Sequence, residues 1–200
     1  MLMSGYARQI DDARASLREA APQVVVAGAW YDEPAFIGAL AARVRNALAR
    51  TPADQRQDVA ILMTAHSLPR RVAEQEPGYL EQLRSTADMV ATAAGLGTDR
   101  WTFCWQSAGH EPGEWMKPDF ADLMPGIAAS GGRSVLVAPI QFLADHLEIL
   151  YDVEIGARDQ AERFDLEFQR IESLNADPAL VGAFASVARR TLAAAVPASS

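Results

Sequence analysis

Two short motifs carry the groups in this chain best suited to chemistry: Thr64-Ala65-His66-Ser67-Leu68-Pro69 and Asp145-His146-Leu147-Glu148. Each comes shortly after an apolar, strand-like run. A neutral imidazole and a carboxylate facing each other across one pocket can hold a divalent cation or move protons. Asp145, Glu148 and Asp152 stand at i, i+3 and i+7, which puts them on one face of a helix. Residues 145–167 hold eight acidic side chains and two arginines, so the row reads either as a solvated acidic face or as a relay for a hard cation or protons. Leu147, Ile149, Leu150 and Tyr151 make the other faces apolar and imply partial burial. His66 also reads as a turn histidine bonded to backbone, in a loop stiffened by Pro69. His146 sits about two residues' rotation from the Glu148 face and reads as structural. His110, in Ala108-Gly109-His110-Glu111-Pro112-Gly113, reads as exposed. The chain has no glycine-rich phosphate loop, no nucleophile-elbow serine and no His-x-x-x-His spacing.

The elements that must position these groups alternate along the chain. Val24-Val25-Val26-Ala27-Gly28, residues 59–64, 101–106 and 134–139 read as four buried strands. Between and after them, helices are expected over 34–49, 79–94 (stopping near Gly95), 119–130 (interrupted at Pro125-Gly126) and from about Gln141. Short continuous apolar runs alternating with helices predict a doubly wound parallel α/β sheet covered on both faces. Ligands of such sheets bind outside the carboxyl ends of the strands. Trp30-Tyr31-Asp32, His66-Ser67, Gln106-Ser107 and the segment leading to Asp145 and Glu148 should therefore converge on one rim. Residues 7–20 and 179–195 read as flanking helices, with Asp177 and Pro178 suited to open the second. Trp30, Trp101, Trp105 and Trp115 can line a flat cavity or fill the core.

Composition narrows the classes. Of 200 residues, 50% are hydrophobic and 22% charged, typical of a folded chain with a substantial core. A net charge of −8 argues against a nucleic-acid surface. Cys104, the single cysteine, excludes an internal disulfide, a four-cysteine zinc site and a cysteine-ligated iron–sulfur cluster within one chain; it reads as buried. No signal-peptide pattern and no membrane-length apolar run is present, so the expected compartment is the cytoplasm.

Taken together, Ala65-His66-Ser67-Leu68-Pro69, Gln106-Ser107 followed by Trp115, and Phe142-Leu143-Ala144-Asp145-His146-Leu147-Glu148-Ile149-Leu150-Tyr151-Asp152 resemble the ferrochelatase family in order and approximate spacing. Leu174-Asn175-Ala176-Asp177-Pro178 looks like that family's closing Asn-x-x-Pro element, and Trp30-Tyr31-Asp32-Glu33-Pro34 with Ala144 looks most like its soluble coproporphyrin-type branch. The resemblance implies a chelatase-like, Rossmann-like three-layer fold and insertion of ferrous iron into a porphyrin, coproporphyrin III favoured, in heme synthesis. It implies no tightly bound cofactor, iron being a substrate. His66 would be the metal-binding, proton-accepting histidine, Glu148 the carboxylate opposite it, and Tyr6 a porphyrin contact. Two pyrrole N–H protons must leave as the metal sheds its waters, so a base and a delivering ligand are both required. Family members commonly carry their acidic face one turn past Asp152, where this chain has Gly156. They are also considerably longer. Residues 1–23 are then expected to be a remnant of the N-terminal half, 24–168 the C-terminal chelatase domain, and 169–200 a segment and helix packing back on that half. Self-association or a missing N-terminal half is implied as partner. A non-catalytic or partner-dependent half, or a chelatase for another metal such as cobalt, remains open.

Overall fold

The computed structural model describes residues 4–109 and 112–195. His110 lies outside the described residues. In chain order the elements are α1 (Ser4–Leu17), α2 (Pro34–Arg50), β1 (Val59–His66), α3 (Arg70–Gln75), α4 (Pro77–Ala94), β2 (Trp101–Gln106), α5 (Phe120–Ala129), β3 (Ser134–Pro139), a π-helix (Ile149–Gly156), α6 (Ala157–Glu162), β4 (Glu167–Arg170) and α7 (Pro178–Ala195). The sheet is parallel throughout, in the order β2-β1-β3-β4. The doubly wound α/β expectation holds.

Side chains of the central strands alternate between two cores, as the period of two requires. Val59, Ile61 and Met63 of β1, with Leu136 and Ala138 of β3, face α2, α4 and α7. Leu62, Val135 and Val137 face α5, the π-helix and α6. Helix ends follow local chemistry. Pro34 and Pro77 open α2 and α4 at their first turns. At the end of α4, Gly95 adopts φ +79°, and the Leu96 N–H closes on the Ala91 carbonyl at 2.9 Å. Asp119 and Asp122 form a reciprocal capping box for α5. That helix runs unbroken through Pro125, contrary to the expected interruption. Its cap and the buried Phe120 and Met124 offset the one missing N–H.

Three other expectations are corrected. Val24-Val25-Val26 is not a strand: it joins no ladder, and its valines are 41, 48 and 54% exposed. β-Branched composition favours a strand only where a neighbour supplies hydrogen bonds and packing. Trp30, Tyr31 and Asp32 consequently do not follow a sheet strand. Trp30 instead packs edge-on against Phe36 and Phe184, at 5.2 and 5.4 Å between ring centroids. The helix expected from Gln141 starts only at Leu147. Backbone groups ahead of it bond elsewhere, Ile140 N–H to the Thr64 carbonyl and Asp145 N–H to Asn175 Oδ1.

Candidate active site

In a sheet ordered β2-β1-β3-β4, β1 leads outward to β2 and β3 leads the opposite way to β4. The connections diverge between β1 and β3, and a crevice opens there at the carboxyl ends. His66 is the last residue of β1, and the segment carrying Gln141, His146 and Glu148 leaves β3 beside it.

His66 is held by two hydrogen bonds. Its backbone N–H donates to Gln141 Oε1 at 2.7 Å, and the Gln141 amide donates in turn to the Tyr79 hydroxyl. Its Nδ1 donates to the Ser67 carbonyl. A carbonyl can only accept, so that bond places the ring proton on Nδ1 and leaves Nε2 as the basic nitrogen. Nε2 lies 3.1 Å from Glu148 Oε1, with the two side chains 30 and 33% exposed. Glu148 Oε1 is itself buried and accepts no hydrogen bond. Two lone pairs at that distance call for a proton or a cation between them. This is what a site for moving protons or seating a divalent ion requires.

The loop after His66 is braced from outside the sheet. Ser67 N–H donates to the Gln106 carbonyl at 2.7 Å, Met116 N–H to Leu68 carbonyl at 2.9 Å, and Ser67 Oγ to Met116 carbonyl at 3.1 Å. Trp115 bridges to Pro69, and its ring lies so close over Gly109 that a side chain there would collide with it. Gln106 is paired in register with His66, and its Oε1 accepts from Thr64 Oγ1 in the sheet interior. The expected rim contribution of Gln106 is thus turned inward.

On the other side an open cavity of about 700 Å³ is lined by His146, Leu147, Glu148, Tyr151 and Asp152. His146 faces the same cavity as Glu148, so the expected rotation away from it does not apply. His146 precedes the helix, and its ring packs on Phe142, which also meets His66 edge-on. The acidic row divides. Glu148 and Asp152 line the cavity, while Asp145 turns to Ser173, Asn175 and Arg170. Burial pushes the Asp145 carboxyl up, but the hydrogen bonds from Asn175 and Ser173 and the Arg170 charge outweigh it and hold it below the usual range. Burial pushes the Tyr79 phenol up against the weaker effect of its Gln141 bond, so it stays protonated. Tyr6 stands on α1, 65% exposed, and is not among the residues lining this cavity. Among the described residues no three of His, Cys, Asp and Glu gather to hold a metal. A second cleft of about 420 Å³, lined by Asp58, Arg100 and Trp101 among others, lies at the amino ends of β1 and β2 and brings together no histidine–carboxylate pair.

A family model described as Ferrochelatase matches residues 3–192. This chain belongs to the ferrochelatase family. It is 38% identical over 164 residues to a ferrochelatase of Deinococcus radiodurans, which covers 82% of this chain and 52% of that protein. A ferrochelatase of Herpetosiphon aurantiacus is 37% identical over 179 residues, covering 90% of this chain and 58% of the relative. A coproporphyrin III ferrochelatase of Geobacillus kaustophilus is 36% identical over 167 residues, covering 83 and 52%. The chain thus spans somewhat over half the length of these curated relatives. Among solved structures, a cobalamin-biosynthesis CbiX protein of Marinobacter aquaeolei VT8 aligns with a TM-score of 0.47 at 14% identity, covering 67% of this chain and 97% of that one. That likeness is too loose to carry weight. No helix among the described residues is long and apolar enough to cross a membrane.

The sequence alone missed Gln141, Tyr79 and Arg170 as parts of the site's frame. Gln141 had a usable signal, a polar side chain two residues past a strand's carboxyl end. Tyr79 and Arg170 had none, because Gln141 is 62 residues from Tyr79 and Asp145 and Glu154 are 25 and 16 residues from Arg170 in the chain.

Proposed function

We propose that this chain carries the metal-handling centre of a ferrochelatase, inserting ferrous iron into a porphyrin, with coproporphyrin III the favoured macrocycle. The observation that carries the reading is His66 Nε2 facing Glu148 Oε1 at 3.1 Å at the sheet's switch point. Ferrous iron is a substrate here, taken from water and released into the ring. A pair of donors suits that task, because a cation held by two groups can still be handed on. Metallation exchanges one Fe²⁺ for the two pyrrole N–H protons. His66 Nε2, with its other nitrogen already protonated, is placed to accept one of them. Glu148 neutralises the incoming cation and is placed to take the other. The open cavity beside Glu148, with Leu147 and Tyr151 exposed at 81 and 63%, offers apolar surface to a macrocycle. Support for coproporphyrin comes from the relative named a coproporphyrin III ferrochelatase and from the resemblance of residues 30–34 and Ala144 to that branch.

A second reading is favoured by one observation. The chain spans only 52–58% of the length of its curated relatives. In that reading the centre binds metal but needs a companion half to seat the porphyrin, and Tyr6 contacts the macrocycle only when that half is present. One experiment separates the two. Purified chain is titrated with coproporphyrin III by absorbance, then given ferrous iron without oxygen. Binding followed by metallation that His66→Ala abolishes supports a self-sufficient chelatase. A folded sample that binds no porphyrin rejects it in favour of the partner-dependent half. Parallel runs with cobalt test the choice of metal.

A further inference from the structure

We infer that Arg170 is a positioning residue that holds Glu148 opposite His66 by gripping the chain on both sides of it, an inference that rests on the reading of that pair as a metal-handling centre. Arg170 closes β4, whose register against β3 pairs it with Val137. Its side chain is only 10% exposed. Nη1 lies 3.2 Å from Asp145 Oδ1, and Nε lies 2.8 Å from Glu154 Oε2. Nη1 also donates to the Ile171 carbonyl at 3.0 Å. Asp145 stands three residues before Glu148, and Glu154 six residues after it. One guanidinium therefore fixes the entry to the π-helix and its far turn to the same sheet edge.

Each grip is reinforced. Asp145 also accepts from Ser173 Oγ at 2.8 Å and Asn175 Nδ2 at 3.0 Å, while its own N–H donates to Asn175 Oδ1 at 2.8 Å. Glu154 takes a second arginine, Arg158, one helical turn on. Glu148, between the grips, has no tie of its own to the sheet edge. It faces His66 Nε2, and its buried oxygen accepts no hydrogen bond. Its place is set by the helix that bears it, and the helix is set by Arg170 together with the buried Ile149 and Val153. The planar fork of arginine reaches two carboxylates at once, which a lysine ammonium does from one point only.

Cobalt(II), whose visible spectrum reports its ligand geometry, is the probe. Wild type, His66→Ala, Arg170→Gln and Arg170→Lys are titrated with cobalt chloride at matched far-UV circular dichroism. We expect His66→Ala to lose binding and Arg170→Gln to bind about tenfold more weakly with an altered bound spectrum. Arg170→Lys should fall between. A wild type that does not bind cobalt, or His66→Ala that binds as well as wild type, overturns the centre and the clamp with it. Wild-type binding that depends on His66 while folded Arg170→Gln stays within twofold, with an unchanged spectrum, overturns the clamp alone. If Arg170→Gln does not fold, Glu154→Gln removes one grip while leaving the guanidinium paired with Asp145. A threefold or greater weakening there supports the inference, and unchanged affinity overturns it.

Discussion

His66 Nε2 faces Glu148 Oε1, a buried oxygen that accepts no hydrogen bond. The Nδ1 bond to Ser67 commits the ring to one tautomer, and the remaining lone pair meets that oxygen. Replacing either group is therefore expected to be costly to chemistry and cheap to folding, since both are about one-third exposed. On the proposed reading of a self-sufficient chelatase, His66→Ala and Glu148→Gln should each lower metallation by roughly a hundredfold or more, with the melting temperature little changed. Equal turnover in both variants, measured anaerobically against wild type, removes the assignment. Cys104, on β2, sits at the opposite extreme, fully buried in the core that holds Phe120 and Met124 of α5. Burial, then the nearby Asp119 and Asp122 charges, push its thiol up. A thiol reagent should label it only after denaturant is added. Rapid labelling of native protein would show that this core opens.

Among the elements, the clamp around the π-helix has its own signature in acid. Asp145 and Glu154 are both held below their ordinary values of 3.8 and 4.5. For each, burial works upward and the hydrogen bonds and arginine charges work downward with greater total effect. A carboxylate with a depressed folded value stabilises the fold above its unfolded value and loses that contribution as pH falls through the folded one. Thermal stability should thus drop below about pH 4.5, and the drop should be shallower in Arg170→Gln. Identical slopes would mean that the guanidinium does not stabilise these carboxylates. Because both are about one-third exposed, solvent screens much of the effect.

The same elements explain what could be read from the chain. β1, β2 and β3 were legible because a short unbroken apolar run has few other uses. Val24-Val25-Val26 has the same composition and was misread, since no neighbour is written into a strand's own residues. β4 was invisible for the converse reason. Glu167-Phe168-Gln169-Arg170 has no apolar run and earns its place through its ladder with β3 and the Arg170 contacts. The π-helix left a fainter trace in Ile149, Val153, Ala157 and Ala161, all fully buried at a spacing of four. Four residues overshoot a turn of α-helix by about 40°. Wider turns fall short of a full turn, so joining the π-helix to α6 keeps those side chains on one face. As for the site, residue types and rim position were readable, whereas the facing of His66 and Glu148 came only through family resemblance.

At the scale of the molecule, two cores share one sheet, so the central strands bear on both. Leu136 and Val137 are adjacent, fully buried and on opposite faces. Leu136→Ala should cost about 2–5 kcal/mol, read as a lower urea midpoint with an unchanged slope. A change below 1 kcal/mol would show that the α2–α4–α7 side collapses around the gap. α7 belongs to that same side: Leu180 and Ala183 are buried in it, and Arg190 Nη1 reaches Glu33 Oε2 at 2.8 Å. Truncation before Pro178 is therefore expected to abolish cooperative unfolding, which calorimetry can check.

The width of the π-helix also has a consequence in time. Its amides close onto carbonyls five residues back through poorer geometry than an α-turn gives. Tyr151 and Asp152 of that helix line an open cavity, whereas the amides of β1 lie between two ladders. In deuterated buffer residues 149–156 should exchange first among the buried elements and β1 last. Porphyrin bound against that surface would slow the first clock and leave the second untouched.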